Sequence, residues 1–122
     1  KVANVLHKHH LCDANAAWGE VPKMLFENNA AIANRYFKLP LGVLKEGAAG
    51  DVIVVDYDPP TYLDENNING HILFGMTGRD VVTTVGNGRV LMKDREVQVV
   101  DVEETMAKCR EESAKLWKSI NG

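Results

Sequence analysis

Apolar positions recur at helical spacing from the start of the chain. Val2, Val5, Leu6 and His9 fall on one face, which predicts a helix over 1–12. Asp13-Ala14-Asn15 breaks the pattern. A second helix is expected to begin near Pro22, a residue suited to a first helical turn because its missing N–H needs no partner there. Leu25, Ile32 and Tyr36, flanked by Phe26, Ala30, Ala33 and Phe37, give it a wide apolar face. Such a face predicts packing against something substantial. Leu39-Pro40-Leu41-Gly42 should end it.

The period then changes. Residues 51–57 (Asp-Val-Ile-Val-Val-Asp-Tyr) form a continuous β-branched run, as expected of a central strand buried on both faces. Asp58-Pro59-Pro60 stops it, 61–70 reads as a polar loop, and His71–Met76 is apolar but of undecided type. Val81–Val85 and Arg89–Lys93 flank Gly86-Asn87-Gly88, a strong hairpin signal because Asn and Gly tolerate positive φ. Asp94-Arg95 should turn the chain into a third strand over 96–100, although Arg is a poor residue for such a turn. Alternation of Val82 and Thr84 with Val81, Thr83 and Val85 predicts one packed face. A last helix follows, capped by Asp101 with Glu104 three positions on. Val102, Met106, Cys109, Ser113, Leu116 and Ile120 recur along it, with Trp117 beside them. Glu103 and Glu104 in the first turn and Lys115 and Lys118 in the last suit the helix dipole. Glu104–Lys108 and Glu111–Lys115 are favourable i,i+4 pairs.

With 122 residues there is room for one domain, enough to bury about two-thirds of the unfolded surface. A net charge of −3 argues against nucleic acid or an anionic membrane as partner. No apolar run reaches the length of a spanning helix. Cys12 and Cys109 are expected to be buried free thiols of a cytoplasmic protein. Trp18 and Trp117 are expected in a core or an interface. The chain opens at Lys1 within an apolar-periodic segment, which suggests a piece of something longer.

Little of this is chemistry. His7-Lys8-His9-His10 offers imidazoles, with His7 and His10 three apart on a helix. A metal site needs a third ligand, and nothing places His71 nearby, so His7 and His10 are read as solvated and His9 as half packed. Asp51, Asp56 and Asp58 are read as strand-edge and turn residues rather than an acid–base set. Gly47, Gly50 and Gly86-Asn87-Gly88 do not spell a phosphate loop. Asn28-Asn29 sits inside a helix, where it either bonds a neighbouring loop or faces water.

One stretch is more specific. Residues 28–56 run N-N-A-A-I-A-N-R-Y-F-K-L-P-L-G-V-L-K-E-G-A-A-G-D-V-I-V-V-D. This resembles the late signature of the amidohydrolase superfamily: a helix with Asn-Ala-Ala, then Gly-x-Leu-x-x-Gly, two small residues, Asp, and an apolar strand ending in Asp. Gly42, Leu44, Gly47, Asp51 and Asp56 fall in place, while Gly50 stands where the pattern usually has Ala. The His-Ile-Leu-Phe element, Asp80-Val81-Val82, the Asn87-Gly88 hairpin and the closing helix follow in order. Within the superfamily the chain looks most like the SsnA-type aminohydrolases, a chlorohydrolase-like and guanine-deaminase-like branch.

The resemblance implies the C-terminal piece of a larger metal-dependent hydrolase of C–N bonds acting on a heterocyclic or amidine-type substrate. The implied fold is α+β. Residues 1–40 would be the last helices of a (β/α)8 barrel, and 41–122 the C-terminal share of a composite β-sandwich (an antiparallel meander) with its closing helix. The family's ligands are a His-x-His near the N-terminus, two later His and an Asp, and they bind a divalent metal, zinc or iron. None of those motifs is matched here: His7-Lys8-His9 has the spelling but lies on a helix only a few dozen residues before the late signature. No catalytic, cofactor-binding or metal residue is therefore assigned, and the piece is expected to be structural and inactive alone. Its expected partners are the missing N-terminal part of the parent and further copies of itself, as a homo-oligomer formed by strand pairing or segment exchange. The competing readings are a complete small binding or assembly module and a His-cluster metal-binding protein.

Overall fold

The computed structural model describes residues 1–121. It is α+β: an antiparallel four-stranded sheet with helices before and after it. Helix α1 (Val2–Leu11) ends where Cys12 turns left-handed at φ 51°. A second helical stretch runs from α2 (Glu20–Lys23) through a wider π turn (Met24–Asn28) into α3 (Asn29–Ala33). Pro22 is therefore the third helical residue, not the first. It is tolerated because first-turn N–H groups lack intrahelical acceptors anyway. The helix also stops at Ala33, short of the expected 37.

Asn34 provides the reason for that early stop. Its Oδ1 accepts the Leu41 N–H at 2.8 Å and its Nδ2 donates to the Leu41 carbonyl at 3.2 Å, so one side chain pairs with the next segment as a strand would. Gly42 follows at φ 78°, packed so closely that a Cβ there would lie 2.6 Å from the Ala30 Cβ. The Asn-Ala-Ala and Gly-x-Leu elements of the signature thus form a helix-to-loop dock.

The sheet order is β1 (Val52–Val55), β2 (Val81–Gly86), β3 (Arg89–Lys93), β4 (Glu96–Val97). The meander over 81–97 matches expectation, with Asn87 and Gly88 both at positive φ in its first turn. Asp94 and Arg95 also adopt positive φ, 51° and 67°, despite the cost to residues with a Cβ. Three expectations fail. The strand at 51–57 is shorter and lies at the sheet edge, with Ile53 58% exposed. No face of β2 is fully packed, and the third meander strand stops at Val97. Each failure reflects a lack of covering layers.

The same lack runs through the whole chain. Among the described residues, only Ala16, Ala17, Leu73, Asn4 and Pro22 are buried. The accessible surface is 9850 Å², where a folded monomer of 13.5 kDa would show about 6,500 Å². Roughly 3,300 Å² is thus surplus on that scaling. Much of it is apolar: Leu25, Phe26, Ile32, Tyr36 and Phe37 are exposed, so the wide helical face predicted for 22–37 exists but is uncovered. Cys12 and Cys109 are exposed thiols, not buried ones. Helix α5 (Val102–Asn121) buries no residue, and Trp117 on it is also exposed. Asp101 caps α5 by accepting the Glu104 N–H at 2.9 Å, while the Glu104 carboxylate pairs with Lys108 instead of reaching back.

Candidate functional site

The densest side-chain constellation lies where the chain leaves the sheet. After β1, the Asp56 N–H donates to the Asp80 carbonyl at 2.7 Å, which directs Tyr57 away from the strand. Of the segment 61–70, read from sequence as a polar loop, 61–67 is loop and turn as expected, and only 68–70 is helical. Asp64 Oδ1 accepts the N–H groups of Asn66 and Asn67, and Asn67 Oδ1 accepts the Asp64 N–H at 2.9 Å. Helix α4 (Ile68–Gly70) and a following π turn (His71–Gly75) then bring His71 to Tyr57. The undecided element at 71–76 is therefore helical through Gly75, with Met76 extended.

Tyr57 Oη and His71 Nδ1 are 2.8 Å apart, half-buried, and which of them gives the proton depends on the imidazole tautomer. Trp18 and Phe74 stack beside them at 5.9 Å between ring centres, and Lys8 Nζ sits 5.2 Å above the Trp18 ring. Two flanking glycines fit closely against these rings. A Cβ at Gly70 would come within 3.1 Å of the Trp18 ring, and one at Gly75 would collide with the Tyr57 hydroxyl. An open cleft lined by Trp18, Tyr57, Pro59, Pro60, His71 and Phe74 results. A Tyr–His hydrogen bond can relay a proton, but among the described residues no nucleophile or carboxylate is paired with it; it latches the post-strand segment to the helix. Sequence reasoning missed this pair because residues 57 and 71 are joined only by the turn at 64–67.

The residues singled out in the sequence do not converge. His7, His9 and His10 are all exposed, so His9 is not half packed. His7 Nδ1 is 2.8 Å from the Ala3 carbonyl of its own helix. The side of α1 that is covered carries Asn4, whose Nδ2 donates to the Ala17 carbonyl at 2.8 Å. Among the described residues no three His, Cys, Asp or Glu side chains gather to hold a metal ion. These residues therefore do not fit the divalent metal implied for the parent.

Asp51 accepts the Asn87 N–H at 2.6 Å, tying the strand entry to the hairpin. Asp56 pairs loosely with Arg95 at 3.4 Å, and Asp58 is exposed. Asn28 and Asn29 are exposed; loop bonding falls to Asn34. Gly50 approaches the Gly88 backbone so closely that a Cβ would lie 3.0 Å from the Gly88 nitrogen, a physical reason for its departure from Ala. Trp18 packs on Phe74, which leaves it 40% exposed. Among the described residues, no helix is long and apolar enough to cross a membrane.

Homologues that are amidohydrolase-superfamily deaminases match this chain over part of their length, in agreement with the resemblance carried by residues 28–56. In particular, the chain is 36% identical over 97 residues to the 5-methylthioadenosine/S-adenosylhomocysteine deaminase of Thermococcus onnurineus, covering 80% of this chain and 22% of that protein. The protein of the same name from Thermococcus sibiricus is 40% identical over 93 residues, 75% of this chain and 21% of that one. The 5'-deoxyadenosine deaminase of Methanosarcina mazei is 28% identical over 121 residues, 99% of this chain and 27% of that protein. The chain thus spans only about a fifth to a quarter of the length of these relatives. No family model matches it, and no solved structure does.

Proposed function

We propose that this chain is the C-terminal part of a metal-dependent hydrolase that removes an amino group from a heterocyclic substrate. The deaminase relatives support the reaction class, and their names favour an adenine nucleoside or thionucleoside as substrate. The SsnA-type, chlorohydrolase-like branch is the finer alternative within the same chemistry. In such a reaction the metal activates water for attack on the carbon bearing the amine. In this reading the metal and its ligands belong to the rest of the parent, and the protein works in the cytoplasm.

The contribution of this part is structural. Residues 1–40 supply terminal helices of a barrel, and 41–122 supply one share of a small sandwich with its closing helix. The observation that carries the reading is the roughly 3,300 Å² of surplus surface. A standard protein–protein contact hides about 800 Å² per partner, far less than this chain leaves bare. Covalently continuous neighbours account for the difference better than a visiting partner does.

The test is ammonia release from 5'-methylthioadenosine, S-adenosylhomocysteine and 5'-deoxyadenosine, with added zinc or iron. The 122-residue chain is expected to be inactive and the full reading frame active. Metal-dependent turnover by the short chain that His9→Ala or His10→Ala abolishes would overturn the reading and promote the histidine cluster.

A further inference from the structure

The chain places glycine directly after asparagine at Asn69-Gly70, Asn87-Gly88 and Asn121-Gly122, with Gly122 outside the described residues. Such pairs are chemically labile. Glycine has no Cβ to shield its amide nitrogen, and its backbone turns freely, so that nitrogen can attack the asparagine side chain. A bond forms between the glycine nitrogen and the asparagine Cγ, the Cγ–NH2 bond breaks, and the amide proton leaves with the side-chain nitrogen as ammonia. Water then opens the cyclic imide at either of its carbonyls, leaving aspartate or isoaspartate.

Asn87 stands at the exposed tip of the β2–β3 hairpin, yet both N–H groups of this turn are taken by the entry to β1. The Gly88 N–H donates to the Gly50 carbonyl at 2.9 Å, and the Asn87 N–H donates to Asp51 Oδ1 at 2.6 Å. The approach depends on glycine at 50, where a Cβ would lie 3.0 Å from the Gly88 nitrogen and 3.1 Å from its Cα. This clasp opposes cyclisation in three ways. The Gly50 carbonyl holds the proton that the attacking nitrogen must lose. The paired bonds keep Asn87 left-handed at φ 49°, so any swing of the Gly88 nitrogen onto the side chain waits for their release. The Asp51 carboxylate repels the negative charge that would develop on that nitrogen.

We propose that Asn87 is a guarded modification site, converted to aspartate or isoaspartate when the clasp of Gly50 and Asp51 opens and protected while it is closed. The change is one-way. The converted residue carries a carboxylate on the residue whose N–H Asp51 accepts, and like charges at such range repel. Isoaspartate also routes the backbone through the former side chain and lengthens the turn. Conversion therefore records that the clasp has opened. Both guarding bonds lie within this chain, so the proposal rests neither on the catalytic reading nor on what covers the sheet in the parent.

The test is peptide mapping by mass spectrometry after timed incubation of the 122-residue chain at mildly alkaline pH, native and in urea, with isoaspartate scored by enzymatic methylation. Asn69 is the internal reference, because its neighbour Gly70 donates to the Asn67 carbonyl at 2.9 Å in another part of the fold. One neutral and one charge-assisted bond should slow conversion of Asn87 at least about tenfold in the native chain relative to urea. Gly50→Ala and Asp51→Ala should each speed conversion at Asn87 several-fold and leave Asn69 unchanged, and the same order of rates is expected in the full reading frame. Gly50→Ala installs the residue that the signature usually carries there, so it perturbs the clasp without removing the fold. Conversion of Asn87 equally fast in native and urea-unfolded chains, or a rate indifferent to both substitutions, would overturn the proposal. Equal acceleration at Asn69 and Asn87 would overturn it too, as the mark of general unfolding.

Discussion

Gly42→Ala should open the dock between the end of α3 and the following loop. Two costs meet at this position. The φ of 78° is left-handed, which costs a residue with a Cβ about 1–2 kcal/mol. The added methyl would also stand 2.6 Å from the Ala30 Cβ, an overpacking of about 1–3 kcal/mol. Together they give about 2–5 kcal/mol, and the lower bound alone is a factor of about thirty in an equilibrium constant. The reporter is the Leu41 amide, held by Asn34 Oδ1 at 2.8 Å; its hydrogen-exchange protection should fall at least about thirtyfold. A double-mutant cycle separates the two costs. Ala30→Gly removes the facing methyl at about 0.5–1 kcal/mol for a helical glycine, so the double variant should recover about 1–3 kcal/mol of coupling. A neutral Gly42→Ala, or a cycle with no coupling, would show that the dock is not built as described.

Further outcomes follow from other contacts. Tyr57→Phe removes the bond to His71 and should cost about 0.5–1.5 kcal/mol in urea unfolding followed by Trp18 fluorescence, whereas Gly75→Ala, aimed at the same hydroxyl, should cost more. Gly50→Ala should be milder than Gly42→Ala, since the Gly88 backbone need give only a few tenths of an ångström; equal losses at the two positions would contradict this. Lys115 is held above its ordinary 10.5 by hydrogen bonds to Glu112 first and Glu111 second. Because the folded value is raised, its support of α5 is complete below 10.5 and is lost as pH climbs through the raised value. Far-UV circular dichroism should show that loss in the parent chain and a smaller one in a Glu111→Gln/Glu112→Gln variant.

Local chemistry was legible in the sequence wherever one residue type decides the outcome. Asn87-Gly88 specified its turn, Asp101 its cap, and Glu104–Lys108 and Glu111–Lys115 their ion pairs. Burial was not legible, because it depends on what lies opposite. The valines of 52–55 and the stripe through Leu25 and Ile32 announce buried faces, and this chain supplies no cover for either. Asn34 escaped notice for a different reason: its partner Leu41 is seven residues on, outside any helical or strand period. Tyr57 and His71 meet only because the turn at 64–67 is ordered by paired Asp and Asn side chains, and that polar composition reads as loop.

The full exposure of α5 also governs how the chain melts. A helix that buries no residue against the rest of the chain borrows little of the sheet's cooperativity, so the two need not unfold together. An isolated helix of 20 residues is only marginally formed in water on its own account. Its ellipticity should therefore fade gradually on heating, at temperatures unrelated to the loss of the Tyr57–His71 latch. Calorimetric and van't Hoff enthalpies of the chain should disagree, and one transition temperature would describe neither part.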